Sequence, residues 1–207
     1  MHTDKREVLH GFFVLEGIDG AGTTTQLRRL EARAVETGLS LRADCEPTPY
    51  PAGVLIRQIL RREVTAHPGT IARLFAADRQ QHLEGLGGIR EAVSGGIKVL
   101  SDRYFFSSLA YQSLECGWEA VAELNAGFPL PEALFFLDIE VMTAQHRINS
   151  RGQAREIYED ALVQEKVRQG YHRAIDEAQA QGLEVHRLDA RLGVEELTDS
   201  IWARICR

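Results

Sequence analysis

Apolar positions recur along the chain in two rhythms. Short runs such as GFFVL (11–15), IKVLS (97–101) and LFFLD (134–138) are nearly continuous in apolar residues. That is the pattern of strands covered on both faces. LRADC (41–45) and LEVHRL (183–188) read as two further strands with more polar positions. Helical periodicity fills the intervals 22–37, about 52–63, 69–86, 106–126, 140–150, 158–181 and 193–206. Strands alternating with helices predict an α/β fold with a five-stranded parallel sheet and right-handed crossovers. No internal repeat, low-complexity tract or Pro/Gly linker divides the chain, so a single domain over 1–207 is expected, with residues 1–10 as a polar tail.

Composition narrows the class. The 207 residues are 44% hydrophobic and 26% charged, as in soluble globular proteins, and suffice for a large core without disulfides. A net charge of −6 argues against a general nucleic-acid surface, although a local basic pocket is compatible with it. Cys45, Cys116 and Cys206 show neither metal-ligand spacing nor a disulfide framework, and so sparse a count fits a reducing compartment. The charged start MHTDKREVLH lacks the apolar core of a signal peptide, and no apolar run approaches the roughly 18 residues of a membrane span. The expected location is the cytoplasm, with no membrane partner.

In open α/β sheets, ligands bind beyond the carboxyl ends of the strands. Glu16, Asp19, Glu46, Asp102, Arg103 and Asp138 stand just after predicted strands, and form the first candidate site. The stretch GIDGAGTTTQ (17–26) follows the first strand and opens a helix. It has the frame of a phosphate-binding loop, G-x-x-x-x-G-K-[ST], over Gly17, Ile18, Asp19, Gly20, Ala21, Gly22, Thr23 and Thr24, with Thr25 next in the helix. Its glycines allow close backbone approach to a polyanion, and successive N–H groups with the helix N-terminus face the phosphates. Thr24 holds the position whose hydroxyl ligates Mg²⁺. Thr23, however, stands where the motif has lysine. The cradle still suits a nucleotide, but phosphoryl transfer then needs cations from elsewhere, Mg²⁺ and an arginine.

FFVLEGIDGAG, LFAADRQQH, SDRYFFSSLAYQ and YEDALVQEKVRQGYHRA, read together, resemble the thymidylate kinase family of nucleoside monophosphate kinases over about 11–205. The resemblance implies a P-loop fold with a mobile lid, usually a homodimer, that uses ATP and Mg²⁺ to phosphorylate dTMP. It implies that Arg103 binds the acceptor phosphate and that Asp102 lies near the metal. Phe75 would stack on thymine and Arg79 would hydrogen-bond its edge. Tyr111 would lie against the deoxyribose, flanked by Ser107, Ser108 and Gln112. Asp19 would approach the acceptor 3′-OH, and Glu16 fits a structural role equally well. The lid, about 146–158, would bring Arg147, Arg151 and Arg155 over ATP, with Tyr158 near the acceptor. Arg191 would lie beside the adenine.

A second departure accompanies Thr23. Where the family has R-E-P-G, this chain has Cys45-Glu46-Pro47-Thr48, which keeps Glu46 among the residues expected at the acceptor, and Arg57 in the next helix becomes the candidate for its phosphate. With two cationic positions lost, three outcomes remain open: a thymidylate kinase with surrogate charges, a kinase for another nucleoside monophosphate, or a catalytically silent nucleotide binder.

Overall fold

A computed structural model describes residues 6–150 and 160–207. Five parallel strands, β1 (Val8–Glu16), β2 (Leu41–Cys45), β3 (Lys98–Asp102), β4 (Leu130–Asp138) and β5 (Glu184–Asp189), lie in the order β2-β3-β1-β4-β5. All five predicted strands are present. The central strands β3, β1 and β4 are the apolar ones because helices cover both of their faces, and Phe12, Phe13, Val14 and Leu15 are wholly buried. The edge strands β2 and β5 keep more polar positions because they are only half buried.

Helices α1 (Thr23–Thr37), α2 (Pro51–Leu60), α3 (Pro68–Glu84) and α4 (Ile89–Ser94) precede β3 or lead into it. After β3 come α5 (Phe105–Tyr111), α6 (Ser113–Cys116) and α7 (Trp118–Asn125). Then α8 (Val141–Asn149), α9 (Ala161–Ala180) and α10 (Val194–Ile205) complete the chain. The single helix expected over 106–126 is instead three pieces. The break at Gly117 has φ 80° and ψ 150°, which no helix accommodates. The helix expected to reach residue 86 stops at Glu84, and α4 was not foreseen in the Gly-rich stretch that follows.

The N-terminal boundary also differs. Residues 8–10, expected in the polar tail, belong to β1, where Val8 pairs with Leu130 and Leu9 with Pro131. The register shifts between Leu9 and Phe13, and the Gly11 N–H donates to Glu132 Oε2 at 2.7 Å. That irregularity interrupts the apolar run and hides the strand's first half from pattern reading.

Pairing aligns the strand ends. Leu15 and Cys45 both face Asp102 in the register, Glu16 faces Phe136, and Asp138 faces Asp189. Four carboxylate-bearing ends thus form one row along the sheet edge where the site lies. No helix among the described residues is long and apolar enough to cross a membrane.

Candidate active site

The loop after β1 has the geometry its glycines anticipate. Gly20 adopts φ 87°, and a Cβ there would stand 2.6 Å from the Ala144 carbonyl of α8, so any side chain would push the loop off its neighbour. Ile18 and Ala21 are buried and anchor the loop, and helix α1 begins directly at Thr23. Thr23 is itself buried, so the lysine position is filled by a small hydroxyl. Thr24 and Thr25 are exposed at the helix start.

The Thr24 hydroxyl donates to Asp102 Oδ2 at 2.6 Å. Asp102 is buried, and its Oδ1 has no hydrogen-bond partner among the described residues. A buried, unpartnered carboxylate oxygen beside a hydroxyl is an oxygen donor set suited to a hard divalent cation. Thr24 and Asp102 therefore fit the metal role that the sequence assigned them.

Arg103 follows with φ 79°, a left-handed backbone unusual for a residue with a side chain, at a site where several contacts hold it. Its guanidinium donates to Asp19 Oδ1 at 2.5 Å, Tyr171 OH at 2.8 Å, Ser107 Oγ at 3.2 Å and the Gly17 carbonyl at 3.3 Å. It also lies 5.4 Å from the Tyr111 ring centroid. Asp19 is held on its other oxygen by Gln164 Nε2 at 2.9 Å. Glu16, fully buried, accepts from the N–H groups of Tyr104 and Ser107 and from the hydroxyls of Ser107 and Tyr171. Burial pushes its carboxyl up to about 7, against the opposing pull of Arg103 and of these donors. Glu16 is thus the structural post beneath Arg103.

Two cavities meet at this point. A cavity of about 190 Å³ is lined by Phe75, Tyr111, Gln112, Ser107, Asp19 and Leu60, among others. A wider polar groove of about 720 Å³ contains Thr24, Asp102, Cys45, Glu46 and His82. Arg57 and Arg103 line both, so two guanidinium groups stand at the junction. In the smaller cavity Gln112 is buried, with an Oε1 that has no hydrogen-bond partner among the described residues. Arg57 donates to the Thr48 carbonyl at 2.9 Å, to the Pro47 carbonyl, and to Cys45 Sγ at 3.5 Å. Burial raises the Cys45 thiol above its usual value, so it is neutral and supplies no charge here.

Arg79 and Glu46, expected to touch the acceptor, behave differently. Arg79 has no exposed surface and does not line the smaller cavity. It lies behind the wall, paired with Glu46 Oε2 at 2.7 Å, Asn125 Oδ1 at 2.6 Å and Ser108 Oγ at 3.2 Å. Ser108 is likewise buried and off the cavity lining. Glu46 is occupied by Arg79 and by His82 at 3.1 Å. Arg79 and Ser108 hold the wall of the smaller cavity rather than form its surface, because a guanidinium buried among apolar rings needs a partner for its charge, while Glu46, that partner, borders the wider groove.

On the far side of the phosphate loop, Arg147 of α8 donates to the Ala190 carbonyl at 2.9 Å and approaches the Ala21 carbonyl at 3.4 Å. It thus bridges the loop and the segment after β5. Arg191 instead forms an exposed pair with Asp189 at 2.8 Å. Arg151, Arg155 and Tyr158 lie outside the described residues.

Sequence reasoning passed over Tyr171, Gln164, Asp78 and His82. Asp78 accepts from the Thr48 N–H at 2.7 Å and from its hydroxyl at 2.5 Å. A signal existed for some of them: Phe75, Asp78, Arg79 and His82 fall on one face of α3, where polar residues break an otherwise buried stripe.

A family profile described as thymidylate kinase matches residues 15–201. A relative from Treponema pallidum (strain Nichols), named "Putative thymidylate kinase", is 41% identical over 94% of both chains. A protein of Leptospira interrogans named "Thymidylate kinase" is 34% identical, covering 79% of this chain and 81% of its own. The chain belongs to the thymidylate kinase family, and is accordingly a phosphotransferase of α/β P-loop fold.

Proposed function

We propose that this member of the thymidylate kinase family transfers the γ-phosphoryl group of ATP to dTMP, giving dTDP and ADP. The observation that carries the reading is the junction of the two cavities. A space of about 190 Å³ suits one pyrimidine nucleoside, and Arg57 with Arg103 stands where its 5′-phosphate would enter the groove of Thr24 and Asp102. Phe75 and Tyr111 supply apolar walls for base and sugar, and the Gln112 carboxamide, whose Oε1 is buried and unpartnered among the described residues, turns that oxygen to accept from the N3–H of thymine. Cytosine has no N–H at that position.

Arg103 exchanges Tyr171 and Ser107 for the acceptor phosphate, while Gln164 keeps Asp19 beside the sugar. Thr24 and Asp102 would hold Mg²⁺, which when bound neutralises phosphate charge. Arg103 and Arg147 flank the phosphate loop at its Gly17 and Ala21 carbonyls, so guanidinium charge borders it at both ends where Thr23 brings none. Arg151 and Arg155 of the lid are further candidates for the same task. We also infer a cytoplasmic homodimer through the surfaces of 69–86 or 106–126, which light scattering tests.

An ADP-release assay with dTMP, dUMP, dCMP and Mg-ATP tests the proposal. Turnover with dTMP preferred over dCMP supports it. Nucleotide binding by calorimetry without turnover on any acceptor would identify a silent binder instead. Thr23→Lys should alter kcat more than the KM for dTMP; an unchanged kcat assigns the missing charge to the arginines already present.

A further inference from the structure

The groove beside the metal pair holds a buried histidine that the proposed reaction does not use. His82 of α3 presents Nε2 to Asp44 Oδ2 at 3.0 Å and Nδ1 to Glu46 Oε1 at 3.1 Å. A neutral imidazole has one donor nitrogen and could satisfy only one carboxylate; both bonds require the imidazolium. Burial alone favours the neutral ring, but the bonds to Asp44 and Glu46 outweigh it and raise His82 to about 9.

The contacts lead from His82 to the acceptor end of the site. Glu46 opens the loop 46–48, and its N–H is tied to the Asp102 carbonyl. The next two carbonyls, of Pro47 and Thr48, are the acceptors that hold Arg57. Asp78 fixes Thr48 from the same face of α3 that carries His82. The loop also rests on α2: a Cβ at Gly53 would come within 2.0 Å of the Thr48 carbonyl. Arg57 is therefore aimed by a loop pinned to α3.

We propose that His82 is a positioning residue for the acceptor phosphate: by bridging Asp44 and Glu46 it fixes the loop 46–48, whose carbonyls aim Arg57 into the junction of the two cavities. This rests on the acceptor site proposed above. Its charged surroundings are Arg42 and Asp44 on β2, Glu46 on the loop, and Asp78 and Arg79 on α3. Arg28, Glu31, Arg57, Asp102 and Arg103 line the same groove.

The test is a double-mutant cycle read by calorimetry with dTMP and with thymidine, on folded variants verified by thermal melts. His82→Gln should weaken dTMP about tenfold or more and thymidine less than about threefold, since only the phosphate meets Arg57. Arg57→Gln should do the same, and the pair R57Q/H82Q should be no worse than R57Q alone. Wild-type dTMP affinity should fall as pH rises through about 9, and the H82Q profile should be flat there. Equal weakening of dTMP and thymidine, additive losses in the double variant, or an unchanged H82Q would each overturn the proposal. Wild type that binds dTMP no better than thymidine would also overturn it. Calorimetry needs no turnover, so inactivity toward dTMP would refute the kinase reading while leaving this test intact.

Discussion

The two flanks of the phosphate loop are built on opposite electrostatic plans. Beside β2 and β3 the most deeply buried ions are paired with one another, Arg79 with Glu46 and His82 with Asp44 and Glu46. On the other flank, beside β4 and β5, the pairs lie near solvent: Arg191 with Asp189, Arg187 with Asp176, Arg168 with Asp138. Burial makes each charge expensive unless its geometry is fixed, so the flank beside β2 and β3 is preorganised by its own ions. Exposed pairs are screened and contribute little to stability. The flank beside β2 and β3 is thus the rigid one, while the flank beside β4 and β5 can rearrange at small cost.

Removing the charge at the junction should break the contrast most severely. Arg103→Ala is expected to lower kcat/KM for dTMP by at least about 10²–10³-fold, the cost of losing one preorganised donor to a developing anion, as read in the ADP-release assay. Next, Arg79→Leu leaves buried Glu46 with His82 as its remaining cation and leaves Asn125 and Ser108 without their donor, and should cost about 3–5 kcal/mol in urea unfolding, whereas the same change at the half-exposed Arg168 should barely register. Gly53→Ala, which drives a methyl into the Thr48 carbonyl, should cost about 1–3 kcal/mol and weaken dTMP binding with it.

Glu16 sharpens the comparison through pH. Its folded carboxyl stands at about 7, above the ordinary value of 4.5, so its contribution to stability is complete below about 4.5 and is lost as pH rises through 7. Relative to wild type, Glu16→Gln should therefore gain stability between pH 5 and pH 8 in thermal melts, since the amide preserves the acceptor for Tyr104 and Ser107. An unchanged difference across that range would contradict a raised carboxyl. The smallest effect is expected at Arg191→Ala: no change in melting temperature and less than about twofold in the KM for ATP, because its pair with Asp189 is exposed.

The parts of the site that were legible are those whose signal is local. Gly17 to Thr24 turn from strand to helix within eight consecutive residues, and Asp102 and Arg103 end a continuous apolar run. Phe75 and Tyr111 line the smaller cavity. Arg79 and Glu46 were assigned to the substrate because a polar residue at a strand end or on a helix face reads alike whether it meets a ligand or another side chain. Three-dimensional pairing separated them: Arg79 meets Asn125, 46 positions away. Tyr171 and Gln164 were passed over for the same reason, since their partners Glu16 and Asp19 lie 155 and 145 positions off.

The sequence by itself determined the five strands and their parallel arrangement, the phosphate loop, and the loss of its lysine to Thr23. Each follows from periodicity or from neighbours in the chain, where the physics of backbone turns and alternating burial acts over a few residues. Only the tertiary structure decided which charges line a cavity and which support its wall. It set Arg57 and Arg103 at the meeting of two cavities, withdrew Arg79 behind one of them, and charged His82 by placing carboxylates at both of its nitrogens. Those outcomes depend on burial and on pairing across long separations, and a linear pattern carries neither.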